Sequence, residues 1–228
     1  MPAAGPVCPA CWNRIRRLSP PLCRACGDPL PSWRIISDAL TRCPRCRRGP
    51  PALALARAAG EYEGSLRDII HAFKYEGRRG LAAPLGQLAA SEGKDVLRGA
   101  DCVVPVPLHP VRRLQRGFNQ AEDLARELRL PVANVLWRLR MTSPQTGLHA
   151  WARRRNVRGA FAFSPLWSRW HRRSALAGSV VVLVDDVRTT GATLNECGEV
   201  LLDAGVREVR ALTVARAARP HKRADTAA

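Results

Sequence analysis

The chain has 228 residues, enough for one main domain and a small appendage, and 46% of them are hydrophobic, an ordinary share for a globular protein. The formal net charge is +18, which invites an anionic partner such as nucleic acid, although only three of the 37 basic residues are lysine (74, 94 and 222) and a GC-rich genome gives the same arginine bias. There is no apolar run of 18 residues and no charged-then-apolar leader, so neither a membrane span nor a secretory signal is expected, and the cytoplasm is.

Residues 1–51 are rich in Pro, Arg and Cys and carry three CxxC pairs: Cys8/Cys11, Cys23/Cys26 and Cys43/Cys46. In a reducing compartment such pairs read as metal ligands and not as disulfides. A CxxC turn aims two thiolates at one ion, and two turns complete a tetrahedral zinc site. Sixteen residues separate Cys26 from Cys43, a normal ribbon spacing, and Gly27 allows the tight turn. Cys23, Cys26, Cys43 and Cys46 are therefore expected around one structural Zn²⁺. Cys8 and Cys11 either pair with Cys23 and Cys26 instead or form a partial second site, the remainder of a double ribbon truncated at its start. The ribbon is expected to lie outside the sheet that builds the main site.

Pro50 and Pro51 mark the exit from this module. Residues 53–62 read as an edge strand. Leu66, Ile69, Ile70 and Phe73 give one helical face that ends near KYEG, 74–77, and Leu81, Leu85 and Leu88 suggest the next helix. In DCVVPVPLHP, 101–110, Val103, Val104 and Val106 form a short core strand that the prolines end. Arg112, Arg113 and Arg116 follow at a helix start before Gly117. Such a cluster either clamps a pyrophosphate bidentately or forms a solvated basic face. Leu124, Leu128 and the nearby alanines belong to another helix. Pattern gives no role to the Arg-rich crossover from Met141 to Phe163. Trp167, Trp170, His171, Arg172 and Arg173 either stack on single-stranded bases or form an amphipathic surface. The tail 220–228 is expected to be disordered.

The most informative stretch is Val180 to Leu194, VVVLVDDVRTTGATL. Five unbroken apolar residues suit a central parallel strand covered on both faces. Asp185 and Asp186 follow, then Thr189, Thr190, Gly191, Ala192 and Thr193, and then a helix with Leu194, Cys197, Leu201 and Ala204 on one face. Gly205 stops that helix, and Val209 to Val214 forms the next strand. A strand-to-helix loop is where open α/β sheets bind ligands. Free N–H groups at the helix N-terminus favour a phosphate, and Gly191 lets the backbone approach it. The carboxylates repel phosphate but suit vicinal hydroxyls or hydrated Mg²⁺. A phosphate at one end and a diol at the other describe a ribose 5-phosphate. The absence of a Lys after the glycine excludes a P-loop, and the absence of GxGxxG excludes a dinucleotide fingerprint.

DDVRTTGAT resembles the phosphoribosyl-pyrophosphate (PRPP) motif of type I phosphoribosyltransferases. With the CxxC-rich start, KYEG, VPVPLHP, RGFNQ, 116–120, and QTGL…RRRNVRGAF, 145–161, the chain resembles the ComF family over nearly its whole length. The resemblance implies an α/β fold: a type I phosphoribosyltransferase-like parallel sheet flanked by helices, 52–219, behind a small N-terminal zinc ribbon, 1–51. It implies that Asp185 and Asp186 hold the ribose hydroxyls and act as the catalytic pair, and that Thr189 to Thr193 bind the 5-phosphate. It implies that Val106, Pro107, Leu108 and His109 face the pyrophosphate, with Arg112, Arg113 and Arg116 nearby and Mg²⁺ entering with PRPP. The function so implied is a PRPP-binding phosphoribosyltransferase-family protein of unknown acceptor, linked to DNA uptake or processing in natural competence. The alternative is a non-catalytic PRPP- or nucleotide-sensing module that binds single-stranded DNA or a protein partner such as a competence helicase.

Overall fold

The computed structural model describes residues 6–30, 41–49, 51–141, 157–164 and 176–217. Four strands, β1 (Leu55–Glu61), β2 (Cys102–Pro105), β5 (Val180–Arg188) and β6 (Glu208–Arg216), form one sheet in the order β1-β6-β5-β2. All three pairings are parallel. Parallel sheets need both faces covered, and β5 shows it. Val181 and Leu183 join one buried cluster and Val182 and Val184 the other.

The first cluster is closed by α8 (Ala192–Asp203), through Leu194, Cys197 and Leu201, and by the hairpin of β3 (Leu136–Arg138) and β4 (Phe161–Phe163). The second is closed by α3 (Gly64–Tyr75), α4 (Ala82–Glu92) and α7 (Gln120–Arg126). The anticipated face of Leu66, Ile69, Ile70 and Phe73 is the buried face of α3. Nothing in the sequence pattern announced the β3–β4 hairpin, because each strand has only three residues.

The expected edge strand is β1, and its outer edge is not bare. Residues from the cysteine-rich segment pair with it: Glu61 N–H donates to Arg16 O at 2.8 Å, and Arg17 bridges antiparallel to Gly60. Gly60 permits this approach, since a Cβ there would stand 2.8 Å from Arg16 O. Ile15 packs in the second cluster beside Leu66. Burying Ile15 and capping a sheet edge both favour a joined structure over a tethered one.

Short α1 (Pro9–Asn13) and α2 (Pro44–Arg48) lie in the cysteine-rich segment, α5 (Lys94–Leu97) follows α4, and α6 (Pro110–Arg116) follows β2. α6 buries none of its residues and stops at Gly117, which takes a left-handed φ of 75°. Trp167 to Arg173, the whole of QTGL…RRRN and the tail 220–228 lie outside the described residues. Among those described, no helix is long and apolar enough to cross a membrane.

Candidate ribose-phosphate crevice and cysteine centre

β5 runs further than the apolar pattern suggests. It extends through both acids to Arg188, so Asp185 and Asp186 are strand residues, and the loop proper is Thr189-Thr190-Gly191. Ladder pairing accounts for this: Val187 and Arg188 are in register with Ala215 and Arg216 of the equally long β6. Consecutive strand residues face opposite ways. Asp186 turns toward α3, where Lys74 Nζ meets its Oδ1 at 2.7 Å. Asp185 turns toward α8 and the hairpin, the side of Arg138, whose charge acts on it more weakly than that of Lys74. Each carboxylate thus has a cation on its own side of the sheet.

These cations have environments that explain their charge. Burial opposes the Lys74 ammonium, but the Asp186 carboxylate outweighs it and the pKa rises. Arg138 is 7% exposed, with its guanidinium 5.2 Å over the Phe161 ring. Burial, then repulsion from Arg112, lowers its pKa. Burial and the neighbouring Asp186 push the Asp185 carboxyl up to about 7, although Lys74 pulls the other way. Asp186 N–H donates to Asp185 Oδ1 at 2.9 Å.

The loop after β5 has the geometry of an anion seat. Gly191 has φ 76° and precedes a 12-residue helix. This left-handed conformation favours glycine. Ala192 N–H donates to Thr190 Oγ1 at 3.4 Å, and Thr190 is 9% exposed. Thr189 and Thr193 flank it, half-buried. The strand ladder brings the second predicted loop alongside: Pro105 is in register with Val184, and Val106 N–H donates to Val184 O at 2.9 Å. Val106 to His109 therefore leaves the sheet next to Asp185. Asn119 Nδ2 donates to Val106 O at 3.2 Å, and Asn119 also caps α7, which gives the RGFNQ stretch a structural task.

The three arginines of α6 diverge. Arg112 acts electrostatically on Arg138, as Asp185 does with the opposite sign. Arg113 reaches Glu122 at 3.4 Å. Arg116 donates to Gln120 Oε1 at 3.1 Å and lies 4.9 Å over the Tyr75 ring. His109 is half-buried, and its Nδ1 accepts from Val111 N–H at 3.3 Å as the cap of α6.

The second centre is the cysteine cluster. The sulfurs of Cys23, Cys26, Cys43 and Cys46 all lie within 4.8 Å of one another, and Cys26 and Cys43 stand 3.7 Å apart. Zn–S bonds of about 2.3 Å in a tetrahedron place sulfurs about 3.8 Å apart, so the four thiols fit a Zn²⁺. The hydrogen bond between Cys23 and Cys26 draws the Cys23 thiol down to about 4 and pushes Cys26 up, while burial pushes Cys46 up to about 12. Four crowded thiols cannot all ionise by themselves, and a divalent cation is the charge that lets them. Cys8 and Cys11 stand apart from this group, at the start of α1, with Cys11 N–H donating to Cys8 Sγ at 3.4 Å.

Two residues that sequence reasoning passed over join the centres to the sheet. Asp28 Oδ1 accepts from Arg188 Nη2 and Arg216 Nε, each at 2.8 Å. Burial opposes its ionisation, and the two guanidinium groups over-compensate, holding the carboxyl below its ordinary value. Among the described residues the cysteine segment gives no strand to the site-building sheet, but it is not detached from it. The segment pairs with β1, and its Asp28 grips the last residue of β5. Lys74 is the other omission. Its signal was available: it is one of three lysines among 37 basic residues, at the end of an amphipathic helix.

Residues 114–228 match the phosphoribosyl transferase domain family. The chain is 31% identical over 221 residues to Competence protein F of Haemophilus influenzae, covering 92% of this chain and 90% of that protein. It is 30% identical over 220 residues to the DNA utilization protein YhgH of Escherichia coli, with coverage of 92% and 90%. It is 26% identical over 200 residues to Competence protein ComFC of Bacillus subtilis, covering 87% and 79%.

Proposed function

The chain belongs to the ComF family of phosphoribosyltransferase-domain proteins, and we propose on that premise that the crevice at the end of β5 binds PRPP. The observation that carries the reading is one edge of the sheet at which three chemistries meet. A paired carboxylate, a glycine-turned helix N-terminus and the end of β2 stand side by side at the C-terminal ends of adjacent strands. The 5-phosphate sits against Thr189 to Thr193, where the positive end of the α8 dipole and the threonine hydroxyls favour an anion. Asp185 and Asp186 accept from the ribose hydroxyls. Lys74, 2.7 Å from Asp186 Oδ1, orients that carboxylate toward the ribose. Val106 to His109 and Arg112 face the pyrophosphate.

Bound Mg²⁺ would supply charge neutralisation on the pyrophosphate. The chain's own part is to hold the ribose ring between carboxylates and phosphate seat, so that C1 and its leaving group are fixed and positive charge developing at C1 is met by nearby acids. Asp185 must be ionised for that, so binding strengthens as pH rises through about 7. The relatives' names, Competence protein F and DNA utilization protein YhgH, support a role linked to DNA uptake or use. The net charge of +18 supports single-stranded DNA as a partner.

Calorimetry with PRPP and Mg²⁺ tests the site. Asp185→Asn combined with Asp186→Asn should abolish binding while circular dichroism stays native. Undiminished affinity in that double variant would remove the assignment. A screen for pyrophosphate release over nucleobases and amines separates an enzyme, which turns over, from a sensor, which only binds.

A further inference from the structure

We propose that Asp28 is a positioning residue for the phosphate loop, and that through it zinc binding and ribose-phosphate binding are thermodynamically linked. The inference rests on the reading of Thr189 to Thr193 as the phosphate seat.

The link has three segments, each short. The first runs from the cysteine cluster to Asp28. Cys23 N–H donates to Asp28 O at 2.7 Å, and Gly27 N–H donates to Cys23 O at 2.8 Å, so the backbone of Asp28 is tied to the turn that carries Cys23 and Cys26. This turn is pressed onto the sheet. Gly27 has φ +66°, and a Cβ on it would stand 2.5 Å from Ala56 O of β1. Arg57 adds a strap, donating to Arg24 O at 3.3 Å and pairing with Asp95 at 2.9 Å.

The second segment is the ion pair itself. Asp28 is 8% exposed and Arg188 4%. Charged groups so withdrawn from water hold their geometry tightly, because either partner left alone is strongly disfavoured. The third segment runs from Arg188 into the loop. Arg188 ends β5 and is followed at once by Thr189, Thr190 and Gly191. Its Cδ and Cγ stand 3.8 and 3.9 Å from where a Cβ of Gly191 would lie, so its aliphatic stem floors the glycine turn. Fixing the guanidinium therefore fixes what the turn rests on.

Zinc enters because the Cys23–Cys26 turn is small and draws its order from the metal. Loss of zinc frees the turn, Asp28 leaves Arg188, and the floor of the loop is no longer held. Linkage is reciprocal: a ligand that needs the ordered loop must raise zinc affinity by the factor by which zinc raises its own.

The experiment uses the full chain and D-ribose 5-phosphate without Mg²⁺, so that a chromogenic chelator competes for zinc alone. In the wild type, saturating ribose 5-phosphate should shift the zinc–chelator midpoint toward the protein by about fivefold or more. Asp28→Asn, which keeps shape and removes charge, should retain its zinc on purification, bind ribose 5-phosphate about tenfold more weakly, and lose the midpoint shift. A merely structural role would leave no such reciprocity. The double variant Asp185→Asn/Asp186→Asn serves as control for the site. If it binds ribose 5-phosphate as the wild type does, or if the wild type does not bind, the site reading falls and this inference with it. If the site behaves as assigned but the wild-type zinc midpoint ignores ribose 5-phosphate, the inference alone is overturned. Unchanged or tighter ligand binding by Asp28→Asn overturns it equally. Should Asp28→Asn fail to fold, the wild-type midpoint decides.

Discussion

Asp185→Asn should make the ligand-free protein more stable above neutral pH while removing its ligand binding. The wild-type carboxyl titrates near 7 in the folded state against an ordinary value of 3.8, chiefly because burial disfavours its charge and Asp186 repels it. The sign follows from linkage. A folded pKa above the unfolded one means that the folded state holds the extra proton between pH 4 and pH 7. Stability from this group is present in full below pH 4 and is lost as pH rises through 7. The displacement of about 3 pH units, at about 1.4 kcal/mol each, sets a ceiling of about 4 kcal/mol. A half-buried carboxyl retains some solvation, so about 2 kcal/mol is expected. Asparagine keeps the shape and still accepts from Asp186 N–H, where the wild-type distance is 2.9 Å. For a chain of this size the gain corresponds to about 4–8 °C in Tm. The assay is thermal or urea unfolding of both proteins from pH 4 to pH 8.5. Their gap should open between pH 4 and pH 7 and stay constant above. A variant no more stable than wild type at pH 8, or a gap that does not change with pH, would refute the burial argument.

Lys74→Met should cost about 3 kcal/mol at pH 7 in urea unfolding, because it strands Asp186 beside Asp185 without its ammonium at 2.7 Å; a loss under about 0.5 kcal/mol would mean that the pair is well solvated. Cys43→Ser should release about one zinc per chain by metal analysis, since three thiolates hold the ion far less tightly than four, and full retention would bring Cys8 and Cys11 back as ligands. Single-stranded DNA should bind with log K falling linearly in log salt, by about 0.7 per phosphate neutralised. Binding indifferent to salt would make the charge of +18 a matter of composition alone.

The sequence by itself determined whatever local chemistry specifies. The apolar run 180–184 read as a buried parallel strand, Gly191 as the turn into α8, and the cysteine spacing as a four-thiol site, while the choice of Cys23, Cys26, Cys43 and Cys46 over a set with Cys8 and Cys11 came only with the structure. Helix α3 was legible because its buried face repeats at helical spacing. The β3–β4 hairpin was not, because three-residue strands carry no period. The cations of the site were decided only by the tertiary structure. Lys74 reaches Asp186 because α3 covers the sheet face to which alternate residues of β5 point, and Arg138 acts electrostatically on Asp185 from the hairpin that covers the other. Asp28 lies 160 residues before Arg188 and 188 before Arg216. No periodicity relates such positions. They meet because the cysteine segment caps β1, next to β6, and burial then favours pairing each charge with an opposite one.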